Sequence, residues 1–450
     1  MKIEQLYEVF LQHPTVTTDS RRCPEDSIFF ALRGDAFNGN LFAGSALESG
    51  CAVAVVDDAS VVPDGDSRYI LVPDVLSALQ QLASYHRHQF HKPVIQVTGT
   101  NGKTTTKELI AAVLSRKYNV LYTQGNLNNH IGVPLTLLRI NDSHDIAVIE
   151  TGANHPGEIA FLTNIVDPDY GLVTNVGHAH IEGFGSFEGV KATKGELYDF
   201  LAKKREAQIF VNESNYDLQD MLVERDIDID TEKCICYARE QALTQTWAVE
   251  GDVLGCEPFV KMWWRQDGHG DTEVQTHLIG AYNIDNLLAS ACIGTHFGIS
   301  QEDISIALAE YQPGLGRSEY RQTANNRLIV DAYNANPTSM HAALENFRHI
   351  NAERKMAILG DMNELGVDSE AEHLRIATEV IGSDIKEVWF VGSKFAAALS
   401  KLSVPADLQV RLFADIDAVK AAIAEQAPKD AFILIKGSNS TRLHQLPPLL

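Results

Sequence analysis

The chain of 450 residues is poor in cysteine and in basic residues, and it has no long apolar run. Its six cysteines form neither a disulfide framework nor a zinc-binding pattern, and Cys234 and Cys236 are too close for an ordinary disulfide. The net charge of −23 repels nucleic acid and anionic membranes. No apolar run reaches the length of a membrane span, and the N-terminus, with Glu4 and Glu8, lacks a signal-peptide core. We therefore expect a cytoplasmic protein with no membrane span and no nucleic-acid partner.

Hydrophobic patterning predicts an α/β chain of three domains, the number that this length allows. Short strands and helices alternate in a small N-terminal α/β domain over residues 1–90. Buried strands of a parallel sheet then alternate with helices in a central domain over residues 91–313. Within it, residues 231–280 (CICYA, TWAVE, FVKMWW) predict a small antiparallel sheet. Residues 314–450 predict a Rossmann-like domain, but its first βα turn lacks Gly-x-Gly-x-x-Gly, so dinucleotide binding is not expected.

Residues 94–109, VIQVTGTNGKTTTKEL, are the most informative stretch. A β-branched run, a glycine-rich loop and a helical pattern from Thr105 form the context of a phosphate-binding loop. Glycines let backbone N–H groups approach phosphate oxygens, Lys103 would supply positive charge, and the Thr104 hydroxyl would hold Mg²⁺. The alternative is a glycine-rich turn with a chance Lys-Thr pair. The predicted nucleotide-binding residues of this loop are Gly99, Thr100, Asn101, Gly102, Lys103, Thr104 and Thr105.

Two further polar positions follow strands of the predicted parallel sheet. Glu150 ends the strand DIAVIE, where a carboxylate near the phosphate loop could bind Mg²⁺, although a surface carboxylate is the alternative. His178 and His180 follow the next strand and could form a metal pair, contact a nucleotide or decorate a loop. No cysteine or third histidine completes a zinc site.

Two helical segments carry candidate residues whose roles the residues alone leave open. Lys191 and Lys194 lie in FEGVKATKGELYDF, where two exposed lysines on a solvated face are the default interpretation. Asn283 and Asn286 lie on one helix face, and their amides could bind an adenine edge. Helix capping by Asn283 is the alternative.

The tight TGTNGKTTTKE loop resembles that of the Mur ligases and of folylpolyglutamate synthetase, which use ATP to join a carboxylate to an amine. The whole chain is similar to the Mur ligase family, in particular to its members that add D-alanyl-D-alanine. The motifs that carry this resemblance are GNLNNHIGVPLTLL (125–138), ETGANHPGEI (150–159), NVGHAHIEGFGS (175–186), DAYNANPTSM (331–340) and LGDMNELGVDSEAEH (359–373).

The resemblance implies three domains, for a UDP-sugar peptide, ATP and the incoming amine. It implies ATP-dependent ligation of D-alanyl-D-alanine to UDP-N-acetylmuramoyl-tripeptide through an acyl-phosphate, with ATP and Mg²⁺ as cofactors, in a monomer. This is the last cytoplasmic step in making the nucleotide precursor of peptidoglycan. The implied catalytic residues are Lys103, His180, Lys194 and Arg317; the metal ligands are Thr104, Glu150, His180 and a carbamylated Lys194; further nucleotide contacts are Asn283, Asn286, Arg317 and Asp331; and substrate contacts are Ser20, Arg21, Asn128, Asn129, Asn334 and Asn336.

The sequence departs from the family pattern at several positions. Tyr282 stands where the family has a histidine, and Asn38 and Asn40 replace an Asp and a His near the uridine segment. Asn439 replaces a usual arginine, and Arg442 is the candidate to take its place. Three other interpretations are a sibling ligase with a different amine, a P-loop NTPase without ligation, and an inactive binding protein.

Overall fold

A computed structural model describes residues 2–239, 247–314 and 316–450 of the chain, and it has the α/β architecture that the sequence predicts. Thr246, the first residue of the predicted strand TWAVE, lies outside the described residues, as do Met1 and Leu315. The described strands form three main sheets, which follow one another along the chain.

The N-terminal region forms a parallel sheet in the order β1-β2-β5-β6, with a separate two-stranded hairpin of β3 and β4. Its elements are α1 (Ile3–Gln12), β1 (Val16–Thr17), β2 (Ile28–Phe30), β3 (Arg33–Gly34), β4 (Phe37–Asn38), α2 (Ala43–Glu48), β5 (Val53–Val56), β6 (Tyr69–Leu71) and α3 (Val75–Gln89). The sequence predicts strands over Ser27–Leu32, Ala52–Val56 and Tyr69–Val72, and the structure confirms them as β2, β5 and β6 to within two residues at each end.

The central region forms a nine-stranded sheet in the order β15-β14-β13-β12-β11-β10-β7-β9-β8. Its first elements are β7 (Val94–Thr98), α4 (Lys103–Leu114), β8 (Val120–Tyr122), α5 (Gly132–Leu137), β9 (Ile146–Glu150), α6 (Glu158–Val166), β10 (Tyr170–Val173), α7 (Ile181–Phe184), α8 (Phe187–Lys203), β11 (Gln208–Asn212) and α9 (Tyr216–Val223). They are followed by β12 (Cys234–Arg239), β13 (Trp247–Cys256), β14 (Phe259–Gln266), β15 (Thr272–Ile279), α10 (Ile284–His296) and α11 (Gln301–Glu310). Strands β7 and β9 are buried along their whole length, as expected for a sheet covered by helices on both faces.

One detail of the predicted central region is wrong. The strand CICYA was expected to be antiparallel, but β12 runs parallel to both β11 and β13. Among the described strands of the central sheet, only β13, β14 and β15 pair in antiparallel fashion, and they extend the main sheet instead of forming a second one. An apolar run in the sequence indicates a strand but not its direction, because direction depends on the connection that brings the strand into the sheet.

The C-terminal region forms a six-stranded sheet in the order β16-β17-β21-β18-β19-β20, parallel except at β16. Its elements are β16 (Glu319–Gln322), β17 (Arg327–Asp331), α12 (Pro337–His349), β18 (Lys355–Gly360), α13 (Ser369–Ile381), β19 (Glu387–Val391), α14 (Ser393–Leu399), β20 (Gln409–Phe413), α15 (Ile416–Glu425) and β21 (Phe432–Lys436). The sequence predicts strands over Arg327–Val330, Lys355–Leu359, Glu387–Val391 and Ala431–Lys436, and the structure confirms them as β17, β18, β19 and β21.

A shared hydrophobic core joins the N-terminal region to the central region, whereas the C-terminal region has cores that are almost wholly its own. One cluster packs residues of α1 and α3 against residues of α5, α6, β7 and β9, so it runs from the N-terminal into the central region. The buried Arg87 of α3 reinforces this joint by donating to the carbonyl of Val166 at 2.9 Å, the carbonyl of Asp167 at 2.7 Å and the carboxylate of Asp169 at 3.0 Å. The C-terminal sheet has two clusters that consist almost wholly of its own residues.

All six cysteines are free. No helix in the described part of the chain combines the length and the apolar character needed to cross a bilayer.

Candidate active site

A cavity of about 1150 Å³ lies where the three regions meet. It opens beyond the carboxyl ends of β7, β9 and β10, where ligands bind in open α/β sheets. The predicted site residues that line it are Thr100, Asn101, Gly102, Lys103, Thr104, Thr105, Asn128, Asn129, Glu150, His180, Asn283, Asn286, Arg317, Asp331, Asn334 and Asn336. The cavity continues past the loop of Asn128 to Leu76 and Gln80 of α3.

The loop between β7 and α4 requires glycine at two positions. Gly99 and Gly102 have φ angles of +142° and +77°, which other residues rarely adopt. A Cβ on Gly99 would lie 2.0 Å from Oγ1 of Thr174, and one on Gly102 would lie 2.6 Å from Oδ1 of Asn286. The loop is therefore pressed against its neighbours, and its backbone faces the cavity at the N-terminus of α4, a favourable place for phosphate.

Lys103, the first residue of α4, folds back over this loop. Its Nζ donates to the carbonyls of Gly99 and Thr100, each at 2.8 Å. Burial lowers the pKa of Lys103, and the nearby carboxylate of Glu150 opposes that effect. The ammonium is thus held at the loop where a phosphate charge would lie.

Glu150 and Thr104 meet beneath the loop. The Glu150 side chain is 1% exposed, and its Oε1 accepts from the Thr104 hydroxyl at 3.1 Å and from Nδ2 of Asn128 at 2.7 Å. Its Oε2 is buried and accepts no hydrogen bond. A buried carboxylate oxygen without a donor, next to a threonine hydroxyl, fits a hard divalent cation such as Mg²⁺.

Sequence reasoning missed Lys107, one turn along α4. Its side chain is fully buried, and its Nζ lies 3.7 Å from both Glu150 Oε2 and Glu108 Oε1. Burial lowers its pKa, whereas the two carboxylates raise it. Its position four residues after Lys103 could have indicated that it lies near the site, because residues at this spacing lie on one helix face.

Both lysines of α8 are buried, so the default interpretation of two solvated lysines is wrong. Lys191 is 7% exposed and pairs with Asp220 at 3.3 Å. Lys194 is 3% exposed, and its Nζ lies 5.5 Å from the centre of the Phe184 ring. Burial, together with the nearby charge of Lys103, lowers the pKa of Lys194 to about 7. Burial therefore favours the uncharged amine form of Lys194.

The two histidines of the loop before α7 have different surroundings. His178 stacks on Phe187, with the ring centres 4.9 Å apart. The imidazole of His180 lines the cavity, and its Nδ1 pairs with the carboxylate of Glu364 from the C-terminal region. In the described part of the chain, no three His, Cys, Asp or Glu side chains converge as a metal site.

Asn283 and Asn286 form a chain of hydrogen bonds behind the phosphate loop. Asn283 donates to the carbonyl of Ile279 at 2.8 Å and accepts from Asn286 at 2.8 Å. Asn286 in turn accepts from the Thr106 hydroxyl at 2.9 Å. The Asn283 side chain makes no capping bond, so the capping alternative is wrong.

The C-terminal region contributes charged groups to the cavity. The Arg317 guanidinium lies 3.8 Å from the centre of the Tyr333 ring, and Asp331 pairs with the buried Lys436. Asn336, the N-cap of α12, donates to Oδ1 of Asn101 at 2.8 Å and so joins the C-terminal region to the phosphate loop.

Four of the predicted site residues do not line the cavity: Gly99, Lys194, Ser20 and Arg21. Gly99 shapes the loop, and Lys194 is buried near it. Arg21, in the N-terminal region, is exposed and donates to Asp19 at 2.8 Å. Asn129 lines the cavity, and its Oδ1 also accepts from the backbone N–H of Gly132, the first residue of α5, at 2.9 Å.

Comparison with known proteins finds matches to one family along most of the chain. Family models match residues 14–87 (Mur ligase family, catalytic domain), 97–294 (Mur ligase middle domain) and 316–439 (Mur ligase, glutamate ligase domain). The UDP-N-acetylmuramoyl-tripeptide–D-alanyl-D-alanine ligase of Escherichia coli is 36% identical over 96% of this chain and 92% of its own length. The enzyme of that name from Bacillus subtilis is 32% identical over 96% and 92%.

Solved structures are similar over nearly the full length. The crystal structure of MurF from Acinetobacter baumannii has a TM-score of 0.83 at 28% identity and covers 99% of this chain and 97% of its own. The MurF ligase of Thermotoga maritima, solved in complex with ADP, shares the fold with a TM-score of 0.82 at 24% identity, covering 98% and 97%. With relatives above 30% identity over almost its whole length, the chain belongs to the Mur ligase family.

Proposed function

We propose that the protein is the ATP-dependent ligase that adds D-alanyl-D-alanine to UDP-N-acetylmuramoyl-tripeptide. The observation that carries this proposal is the single cavity shared by all three regions. It contains a phosphate loop, joined to the C-terminal region by Asn336, and extends past Asn128 to α3 of the N-terminal region. A cavity of this kind suits an enzyme that brings three substrates together. The full-length similarity to enzymes of this name supports the same conclusion.

The phosphate loop and the charged residues around it would bind ATP. Backbone N–H groups of the loop and the Lys103 ammonium would hold the β- and γ-phosphates. Arg317 would add positive charge from the C-terminal side, and Asp331 would contact the ribose. Asn283 and Asn286 would support the adenine end.

Thr104 and Glu150 would hold a Mg²⁺ ion, with His180 and Lys194 as ligands of a second. When bound, Mg²⁺ would neutralise charge on the transferred phosphoryl group. Lys194 suits a role as a carbamate because its low pKa provides the neutral amine that reacts with CO2, and the product is an anion. Glu150 Oε2, which lacks a hydrogen-bond donor, supports the assignment of the first site.

The remaining residues would position the peptide carboxylate and the incoming amine. A carboxylate is a poor electrophile until its oxygen becomes a good leaving group, so phosphorylation by ATP precedes attack by the dipeptide amine. Asn128 and Asn129 would face the tripeptide, Asn334 and Asn336 the amine side, and Ser20 and Arg21 the uridine. The chain would act as a monomer in the cytoplasm, where ATP and the nucleotide precursor occur.

The test is phosphate release from ATP with UDP-N-acetylmuramoyl-tripeptide, with and without D-alanyl-D-alanine, together with the product mass. Release that requires both substrates, with a product heavier by the dipeptide, supports the proposal. Release that requires a different amine indicates a sibling ligase. Release with neither substrate indicates an NTPase without ligation, and no release with any amine indicates an inactive binding protein.

A further inference from the structure

The contact between His180 and Glu364 joins two regions of the molecule that are far apart in the sequence. His180 precedes α7 in the central region, and Glu364 lies in the loop after β18 in the C-terminal region. The Nδ1 atom of His180 pairs with the Glu364 carboxylate, and this contact lowers the pKa of Glu364. The Glu364 side chain remains 54% exposed, so the contact does not serve to bury it.

Both residues adopt a backbone conformation that side chains other than glycine rarely take. The φ angle is +53° at His180 and +62° at Glu364. Such residues persist where the surroundings fix them, and they occur preferentially at functional sites. The contact therefore joins two residues that are both held in this unusual conformation.

The loop of Glu364 is held in place by its own region. The backbone N–H of the preceding residue, Asn363, donates to the Ser438 hydroxyl at 3.1 Å, and its side chain donates to the Ser440 hydroxyl at 2.7 Å. Two residues further on, a Cβ at Gly366 would lie only 3.3 Å from Cβ of Glu182. The carboxylate can therefore reach His180 only when the C-terminal region lies against the central one.

A carboxylate placed against Nδ1 favours the tautomer that carries its proton on that nitrogen, which leaves the lone pair of Nε2 free. Carboxylates commonly orient histidines in this way when the other nitrogen binds a metal ion, and they also raise the basicity of the ligand. The His180 ring lines the cavity, so a free Nε2 would be available to a cation bound there.

We propose that Glu364 is a positioning residue that orients His180 for cation binding, and that it does so only when the C-terminal region is closed over the nucleotide. This proposal rests on the proposed function, because it assigns the oriented histidine to the cation site of the ligation reaction. In this proposal the C-terminal region binds the amine, and its closure also completes the cation site.

The experiment measures Mn²⁺ binding to the full-length protein by electron paramagnetic resonance, in the presence of a non-hydrolysable ATP analogue. The variant is Glu364→Gly, which removes the carboxylate and also relieves the unusual backbone conformation. The matched control is Asp430→Gly, which changes another exposed acidic residue with a φ of +56°, in the turn before β21. Thermal unfolding of both variants is recorded alongside.

We expect Glu364→Gly to weaken the second Mn²⁺ site about tenfold, as loss of an outer-shell partner typically does. Its melting temperature should equal or exceed that of the wild type, and Asp430→Gly should bind Mn²⁺ as the wild type does. In a His180→Ala background, Glu364→Gly should have no further effect on Mn²⁺ binding.

Unchanged Mn²⁺ binding in Glu364→Gly would overturn the proposal, as would an equal loss in the control or a further loss in the His180→Ala background. The outcome is separate from that of the ligase test. If the wild type fails to make the dipeptide product, the proposed function fails, whereas Mn²⁺ binding still reports on the contact between Glu364 and His180.

Discussion

The buried Lys107 allows a quantitative test of how the region beneath the phosphate loop is stabilised. Its ammonium lies 3.7 Å from the carboxylates of both Glu150 and Glu108, and its side chain is fully buried. Opposite charges about 4 Å apart attract by about 4 kcal/mol at an effective dielectric constant of 20. Removing one partner of a buried pair costs about 3–5 kcal/mol, because the other charge stays buried.

The substitution Lys107→Met keeps most of the side-chain volume and removes the charge. We expect the free energy of unfolding to fall by about 3 kcal/mol, at the lower end of that range, because the buried ammonium is itself costly. For a domain of 150–250 residues, this is a loss of about 6–12 °C in melting temperature. Differential scanning calorimetry would measure it, with Lys117→Met, an exposed lysine just after the same helix, as the control.

The response of the melting temperature to added Mg²⁺ and ADP provides a second test. In the wild type, a cation at Glu150 would lie close to the Lys107 ammonium and be repelled by it. This repulsion is absent in Lys107→Met, so the ligand should raise the melting temperature of the variant more than that of the wild type. If Lys107→Met has the same melting temperature as the wild type and Lys117→Met, the buried pair does not stabilise this region and the reasoning is refuted.

Three further sites give predictions. Lys103→Ala should lower kcat/KM for phosphate release by about 10²–10³-fold, since it removes a charged donor to the transferred phosphate, and wild-type turnover would reject this role. Lys194→Ala should lose ligation and regain part of it with a small added carboxylic acid, whereas full activity without the acid would mean that Lys194 is only structural. The pKa of Lys194 is about 7 in the folded protein against 10.5 as its ordinary value. Between these two pH values the unfolded chain therefore binds more protons than the folded protein. The free energy of unfolding of the wild type, relative to that of Lys194→Met, should rise with pH across this window in CO2-free buffer. If the difference between the two proteins does not change with pH, the burial argument is contradicted. Asn336→Ala and Ser300→Ala each remove a helix N-cap and should lower the free energy of unfolding by about 1 kcal/mol. Only Asn336→Ala should raise KM for ATP. Equal KM values for the two variants would show that Asn336 does not affect the nucleotide site.

Local sequence patterns were sufficient to predict most of the fold and the residues at the centre of the site. The strand, loop and helix around Lys103 were predictable because the glycine positions, the β-branched run and the helical periodicity all lie within one short stretch. Glu150 was predictable for a related reason, since the carboxyl ends of parallel strands lie at one edge of a sheet.

Features that depend on long-range packing were not predictable in the same way. The direction of β12 depends on how the chain returns to the sheet. The burial of Lys194 depends on how α8 packs on α6 and α7, because a lysine in a helical pattern normally faces solvent. The pairing of His180 with Glu364 joins two loops of different regions, and neither loop carries a local signal of the other.

The hydrophobic core shared by the first two regions has a consequence for protein engineering. A chimaera that exchanged residues 1–90 with those of a relative would divide this core and separate Arg87 from its partners on the other side of the joint. A junction after α11, which ends at Glu310, would leave that core intact and transfer the C-terminal sheet with its own two clusters. Recombination should therefore exchange the C-terminal region of such a ligase more readily than its N-terminal region.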